Sequence, residues 1–121
     1  MKKKRILVVD DEADLLDIVK EWLKEEYEVA TAVNGFEGLR LAKEFKPNLI
    51  ILDITMPKMD GFEVLAQLRG QLETNLIPVI MLTAQGRSEN ILEAEELRAT
   101  DFLIKPFDPD DLLTVVRNTL K

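Results

Sequence analysis

The chain has 121 residues, a length that suits one domain with a single hydrophobic core, and we expect residues 1–121 to form that domain. It contains no cysteine and no histidine, which excludes disulfides, thiolate or imidazole metal ligands, and Ser-His or Cys-His nucleophilic sites. The net charge of −7 argues against nucleic-acid binding by this segment, because an acidic surface repels a phosphate backbone.

The amino-terminal run Lys2–Arg5 is strongly basic. We interpret it as a solvated leader before the first strand, with a nucleic-acid-binding arm as the alternative. No apolar stretch approaches the ~18 residues of a membrane span, and no signal-peptide pattern is present. We therefore expect a cytoplasmic protein without a membrane segment.

Five short apolar runs occur along the chain, and each is followed by a segment with helical periodicity. In chain order the runs are Ile6–Val9, Tyr27–Ala32, Leu49–Leu52, Ile77–Leu82 and Phe102–Ile104. Four of them lack a clean alternation of polar and apolar residues. This pattern is typical of strands that are covered on both faces, as in a parallel sheet.

The segments between the runs place apolar residues on one stripe of an α-helix. The stripes comprise Leu15, Leu16, Val19, Trp22 and Leu23; Phe36, Leu39, Ala42 and Phe45; Phe62, Leu65 and Leu68; and Leu112, Leu113, Val116 and Leu120. The segment after Thr83 is rich in glutamate and predicts only a weak helix. Five alternations of strand and helix predict an α/β fold with a mostly parallel sheet and helices on both faces.

Polar side chains stand where several of the runs end. Asp10, Asp11 and Glu12 follow the first run, Asp53 follows the third, and Thr83 and Lys105 follow the fourth and fifth. Each alone has an ordinary explanation, such as a helix N-cap or a loop hydroxyl bonded to its own backbone. Because ligand sites of open α/β sheets lie beyond the carboxyl ends of the strands, their joint occurrence predicts a functional site.

The residue types indicate the chemistry of this site. Clustered carboxylates repel one another and need a counter-ion, and oxygen ligands without nitrogen or sulfur favour a hard divalent cation such as Mg²⁺. Lys105 adds a positive charge and Thr83 adds a hydroxyl donor. A carboxylate beside these groups suits phosphoryl transfer to an aspartate.

Four stretches carry a resemblance to a known family: ILVVDDE, LIILDITMPKMDGFEVL, IPVIMLTA and DFLIKPF, in this order between residues 6 and 107. The chain resembles a receiver domain of a two-component response regulator. The resemblance implies a flavodoxin-like (βα)5 doubly wound parallel sheet with strand order 2-1-3-4-5. It also implies a cis peptide bond between Lys105 and Pro106.

The resemblance further implies roles for individual residues. Asp53 corresponds to the phosphoacceptor and to one metal ligand. Asp11 corresponds to the direct Mg²⁺ ligand, Asp10 to the acid that reaches the metal through water, and the backbone carbonyl of Thr55 to a third protein ligand. The remaining matches are Thr83 as the switch hydroxyl, Phe102 as the switch aromatic and Lys105 as the phosphate-binding lysine.

The partners implied are a sensor histidine kinase or phosphotransfer protein as donor, with a first-helix docking surface, and a downstream effector protein or domain. The resemblance implies that phosphorylation changes the face formed by the fourth helix, fifth strand and fifth helix. The domain would catalyse its own phosphorylation and dephosphorylation without being a conventional enzyme. The cognate kinase, the output, and whether the chain is a complete regulator stay open.

The sequence departs from the family pattern at several positions. Arg98 stands where relatives commonly have glycine, and Val115 stands where transcription-factor receivers commonly have a basic residue used in dimer salt bridges. The latter argues against such a dimer. Thr55 and Gln85, at two variable positions around the site, are both uncharged.

Three alternative interpretations fit the residues less well than a receiver domain. A haloacid-dehalogenase-like aspartyl phosphatase needs a second aspartate two residues after the first, where this chain has Thr55. A flavin carrier on the same fold needs a phosphate-binding loop after the first strand, where Asp10, Asp11 and Glu12 would repel the phosphate. A receiver that acts only as a binding module would lack a key residue, and none is missing.

Overall fold

The computed structural model describes residues 2–84 and 88–121. For residues 88–91 it describes the backbone but not the side chains. The strands are β1 (Arg5–Val9), β2 (Glu28–Ala32), β3 (Leu49–Asp53), β4 (Val79–Ala84) and β5 (Asp101–Lys105). The helices are α1 (Ala13–Leu23), α2 (Gly35–Glu44), α3 (Gly61–Arg69), α4 (Ser88–Glu96) and α5 (Pro109–Thr119). Gln85, singled out above, lies outside the described residues.

The five strands form one parallel sheet of order β2-β1-β3-β4-β5. This topology confirms the predicted flavodoxin-like (βα)5 fold. The order reverses between β1 and β3, so the carboxyl ends of these neighbouring strands flank the crevice in which such sheets bind ligands. None of the described helices is long and apolar enough to cross a membrane.

Burial along the strands explains their sequence patterns. The three central strands are buried over nearly their whole length, whereas the edge strands β2 and β5 are partly exposed. One core cluster packs α2, α3 and α4 on one face of the sheet, and a second packs α1 and α5 on the other. Coverage on both faces is the reason that the central strands read as unbroken apolar runs.

The fourth strand differs from the prediction at both ends. It was expected over Ile77–Leu82 but begins at Val79, because Ile77 donates its N–H to the carbonyl of Thr74 within the preceding loop and Pro78 has no N–H to donate. At its other end it extends through Ala84, so Thr83 lies within the strand, opposite Ile104 of β5.

The predicted stripe of the second helix was wrong at its first residue. Phe36 is 59% exposed, and α2 packs through Gly35, Gly38 and Ala42 instead. A methyl group on Gly38 would approach the side chain of Val9 to 3.0 Å, so the helix lies closer to β1 than a larger residue would permit. Close packing by small residues leaves no room for an aromatic side chain on that face.

The fourth helix ends in a turn of left-handed backbone at Arg98, whose φ is 64°. The N–H of Ala99 donates to the carbonyl of Ala94, and the N–H of Arg98 donates to that of Glu95, which is the Schellman pattern. The guanidinium of Arg69 donates to the Arg98 carbonyl at 3.0 and 3.2 Å. The position therefore has the geometry that glycine adopts at least cost.

Candidate functional site

Three carboxylates meet at the carboxyl ends of the neighbouring strands β1 and β3. Asp10 and Asp11 directly follow β1, and Asp53 is the last residue of β3. Because β1 and β3 are neighbours, the side chains converge, and each offers an oxygen within 4.8 Å of the others. Asp10 and Asp53 are buried, whereas Asp11 is exposed. This set of hard oxygen donors fits a divalent cation such as Mg²⁺ or Ca²⁺.

Lys105 brings a positive charge into the same cluster from β5, on the far side of β4. Its Nζ lies 3.0 Å from Oδ2 of Asp10 and 3.3 Å from Oδ1 of Asp53. It also lies 3.4 Å from Oε1 of Glu12. The peptide bond that follows Lys105 is cis, as predicted. One ammonium group thus contacts three acidic side chains, two from the segment after β1 and one from the end of β3.

The electrostatics of the cluster disfavour ionisation of its buried acids. Burial, and then the charge of Asp10, raise the pKa of Asp53 to about 6, although Lys105 and the N–H of Thr55 act in the opposite direction. Burial also raises the pKa of Asp10. Burial alone would lower the pKa of Lys105, but its contacts with Asp10 and Asp53 outweigh this and raise it. A bound cation would relieve the repulsion between the two buried carboxylates.

The loop after β3 folds tightly back onto the strand end. The N–H of Gly61 donates to the carbonyl of Ile54 at 2.8 Å. A Cβ atom on Gly61 would stand 2.3 Å from the backbone oxygen of Asp53, which no side chain tolerates without a shift of the backbone. The helix that follows is stabilised at its start by a capping box of Asp60 and Glu63. Glycine at position 61 therefore lets the loop close beside Asp53.

Thr83 and Phe102 lie on the two strands beyond Asp53. Thr83 is buried, and its hydroxyl donates to the carbonyl of Ala84 at 3.3 Å. Phe102 is half-buried and packs against the core cluster that contains Ala94. The structure thus brings Asp10, Asp11, Asp53 and Lys105 together, while the predicted switch residues occupy β4 and β5 beside them.

Thr55 lies two residues after Asp53, and its backbone carbonyl is the predicted third protein ligand of the metal. Thr55 is exposed, and its backbone N–H acts to lower the pKa of the Asp53 carboxyl. The metal-binding role of its carbonyl stays a prediction.

Sequence reasoning missed the part played by Glu12. A helix N-cap is the ordinary explanation for this acid, and Glu12 does occupy the N-cap position of α1, but its side chain makes no capping bond. Its carboxylate contacts Lys105 instead, while its N–H donates to Oδ1 of Asp10 at 2.9 Å. The sequence feature that could have indicated this contact is the position of Glu12 as the third consecutive acid after β1.

Comparisons with known proteins agree with this geometry. The sequence model of the response regulator receiver domain matches residues 6–117. The chain is 42% identical over 118 residues to the DNA-binding dual master transcriptional regulator RpaA of Synechocystis sp., covering 97% of this chain and 49% of that protein. It is 40% identical over 119 residues to the alkaline phosphatase synthesis transcriptional regulatory protein PhoP of Bacillus subtilis, covering 98% and 49%. The chain spans about half the length of the curated relatives it matches.

Among solved structures, the Vibrio cholerae chemotaxis protein CheY4 superposes with a TM-score of 0.93 at 35% identity, covering 98% of this chain and 99% of that one. A putative response regulator from Chloroflexus aurantiacus has the same TM-score at 33% identity, with 98% of each chain covered. The phosphoacceptor role of this family fits the carboxylate cluster, and membership disfavours the phosphatase alternative. The chain belongs to the response regulator receiver domain family.

Proposed function

We propose that Asp53 is the phosphoacceptor and that the donor is a phosphohistidine of a sensor histidine kinase or phosphotransfer protein. One observation carries this proposal: Asp53 ends a buried central strand with Lys105 3.3 Å away and two further carboxylates within reach of the same cation. A nucleophile between two sources of positive charge is what a transferring phosphoryl group requires.

Mg²⁺ is the cation that we propose for this site. The donor set fits it, because the three converging side chains offer only carboxylate oxygens and the chain has no histidine or cysteine to favour a softer metal. Asp11, Asp53 and the Thr55 carbonyl would bind it directly, and Asp10 through water. When bound, the ion supplies positive charge that stabilises the phosphoryl oxygens.

In the transfer step, a carboxylate oxygen of Asp53 attacks phosphorus as the bond to the donor nitrogen breaks. The electron pair of that bond stays on the histidine nitrogen, and the product is an acyl phosphate on Asp53. Lys105 is already held at the site by Asp10 and Asp53, and it bears part of the charge on the phosphoryl oxygens. The domain therefore supplies the catalytic groups for its own modification, and also for the later hydrolysis.

The acyl phosphate then acts as a switch. We propose that the Thr83 hydroxyl leaves the carbonyl of Ala84 and donates to a phosphoryl oxygen, and that Phe102 moves into the space beside it. The face formed by α4, β5 and α5 changes as a result. Thr83 and Phe102 lie on adjacent strands that end at the cluster, which supports a direct link between site and face. Phosphorylation biases two pre-existing states of this face.

The donor docks on α1 in this proposal. An apolar groove of about 470 Å³ lies beside the cluster, and its lining includes Ile18 and Trp22 of α1 together with Phe107 and Lys105. The rings of Trp22 and Phe107 pack edge to face with centroids 6.2 Å apart. A partner helix seated in this groove would hold its phosphohistidine close to Asp53.

Phosphorylation with a small donor tests the proposal without a kinase. Purified protein is incubated with acetyl phosphate and Mg²⁺, and its intact mass is measured. We expect the wild-type protein and Asp17→Asn, which removes an exposed aspartate of α1, to gain one phosphoryl group, and Asp53→Asn to gain none. Phosphorylation of Asp53→Asn at the wild-type rate would refute the assignment.

A further inference from the structure

We propose that the basic run Lys3–Arg5 acts as a shared cap for the carboxyl-terminal ends of three helices, α1, α2 and α5, and not as a nucleic-acid-binding arm. Its three consecutive side chains each donate to the backbone carbonyl of the C-cap residue of a different helix. This role is independent of the proposed function, because it concerns the amino ends of the strands, opposite the carboxylate cluster.

The topology of the sheet collects negative partial charge at the amino ends of the strands. All strands are parallel and each is followed by a helix, so the helices run back and end near the amino ends of the strands. The last carbonyls of each helix lack partners within the helix and carry the negative end of its dipole. Cationic donors are therefore favoured here, and the run Lys3–Arg5 leads directly into β1.

Lys3 and Lys4 contact the two helices on one face of the sheet. Nζ of Lys3 lies 3.0 Å from the carbonyl oxygen of Lys24, the C-cap residue of α1. Nζ of Lys4 lies 3.0 Å from the carbonyl oxygen of Leu120, the C-cap residue of α5. Lys4 and Leu120 are 116 positions apart in the chain, so this bond ties the segment before β1 to the fifth helix.

Arg5 contacts a helix on the other face. Its Nη1 lies 3.0 Å from the carbonyl oxygen of Phe45, the C-cap residue of α2, and its guanidinium carbon lies 5.7 Å from the centre of the Phe45 ring. The ring adds a cation–π contact to the capping bond. Side chains alternate between the faces of a strand, which explains the division: Leu7 packs into the core cluster of α2, and Ile6 packs into that of α1 and α5.

These contacts occupy the charges that a nucleic-acid-binding arm would need. Such an arm requires lysine and arginine side chains that are free to reach phosphates. Three of the four basic side chains of the segment 2–5 donate to helix ends instead. The cleft lined by Lys2 and Lys3 also contains the exposed acid Glu28, whose carboxylate would repel a phosphate.

Hydrogen exchange at the three helix ends tests the caps one by one. The N–H groups of the C-cap residues Lys24, Phe45 and Leu120 are bonded within the last turns, so their exchange reports fraying of each helix. We expect each replacement by glutamine to speed exchange about two- to fivefold at the one helix end that the side chain contacts, and by less than about 1.5-fold at the other two. The variants are Lys3→Gln for α1, Lys4→Gln for α5 and Arg5→Gln for α2.

Two further variants separate capping from net charge. Lys2→Gln removes one positive charge from an exposed neighbour that contacts none of these three helix ends in the described part of the chain, and it should leave all three amides close to wild type. Lys4→Arg keeps both charge and donor and should retain the protection at Leu120. Unchanged exchange in all three glutamine variants, or equal acceleration by Lys2→Gln, would overturn the proposal.

A labelled DNA duplex of about 20 base pairs tests the excluded role. At about 150 mM salt we expect no saturable binding up to about 100 μM protein. Micromolar binding that Lys3→Gln with Lys4→Gln weakens about tenfold would show that the run serves as an arm and would overturn the proposal. Neither experiment uses a phosphodonor or a metal, so its failure leaves the role of Asp53 untouched.

Discussion

Neutralising Asp53 should stabilise the metal-free protein, and the gain should depend on pH. Asp53 is 4% exposed and its charge is opposed by burial and by Asp10, so its pKa is raised from 3.8 to about 6. A folded-state pKa above the unfolded value means that ionisation opposes folding. The protonated form of Asp53 therefore favours the folded state. Its contribution to the unfolding free energy is complete below about pH 3.8 and is lost as the pH rises through 6.

The magnitude follows from the same two values. A separation of about two pH units between the folded and unfolded pKa corresponds to about 3 kcal/mol of unfolding free energy. The difference in unfolding free energy between Asp53→Asn and wild type should therefore grow by about 3 kcal/mol from about pH 4 to about pH 8. Asp10→Asn should reduce this growth when introduced into both proteins, because the charge of Asp10 is the second cause of the raised pKa of Asp53.

Urea unfolding in EDTA at a series of pH values measures the effect. Asp17→Asn serves as the control, since it also removes one carboxylate but from an exposed position on α1, outside the cluster of Asp10, Asp11 and Asp53. If Mg²⁺ binds the folded wild-type site as we propose, saturating Mg²⁺ should shrink the stability advantage of Asp53→Asn over wild type. An Asp53→Asn advantage that does not change between pH 4 and pH 8 would refute the account of a repulsive buried pair.

Three further predictions concern single positions. Arg98→Gly should raise the unfolding free energy by about 0.5–1 kcal/mol in urea, because relief of the left-handed backbone exceeds the added chain entropy, whereas Arg98→Ala should give no gain. Asp11→Ala should lose Mg²⁺ binding in calorimetry more completely than Asp10→Ala, because Asp10 is already bonded to Lys105 and to the N–H of Glu12; equal losses would contradict this. Thr55→Asn should speed loss of the phosphoryl group by about tenfold at fixed Mg²⁺, ~1.4 kcal/mol of barrier, because an amide can orient the attacking water, while Thr55→Val should leave the decay close to wild type.

The convergence of the site was predictable because it follows from topology. A parallel sheet brings the carboxyl ends of β1 and β3 to one edge. Since Asp10 and Asp11 follow one of these strands and Asp53 ends the other, their positions in the sequence predict that they lie close together. Lys105 follows from the same rule, since β5 ends at that edge as well. The sequence does not predict which acids Lys105 contacts, because its side chain is flexible and local packing determines its distances to Asp10, Glu12 and Asp53.

Other features depend on contacts that no sequence period reveals. Strand β4 begins later than its apolar run predicts, because Ile77 donates its N–H to a loop carbonyl. Phe36 lies outside the core because small residues bring α2 close to β1. The sequence shows that Arg98 replaces the glycine common in relatives. The structure adds that its backbone is left-handed and that the Arg69 guanidinium donates to its carbonyl.

Locating the phosphoryl group on the chain tests the central claim most directly. After reaction with acetyl phosphate and Mg²⁺, borohydride reduces an aspartyl phosphate to homoserine, and tryptic peptides are then analysed by mass. Peptide 44–58 contains Asp53 as its only aspartate, whereas Asp10 and Asp11 lie in peptide 6–20. We predict homoserine at position 53 and nowhere else. Homoserine in peptide 6–20, with residue 53 unmodified, would contradict the account.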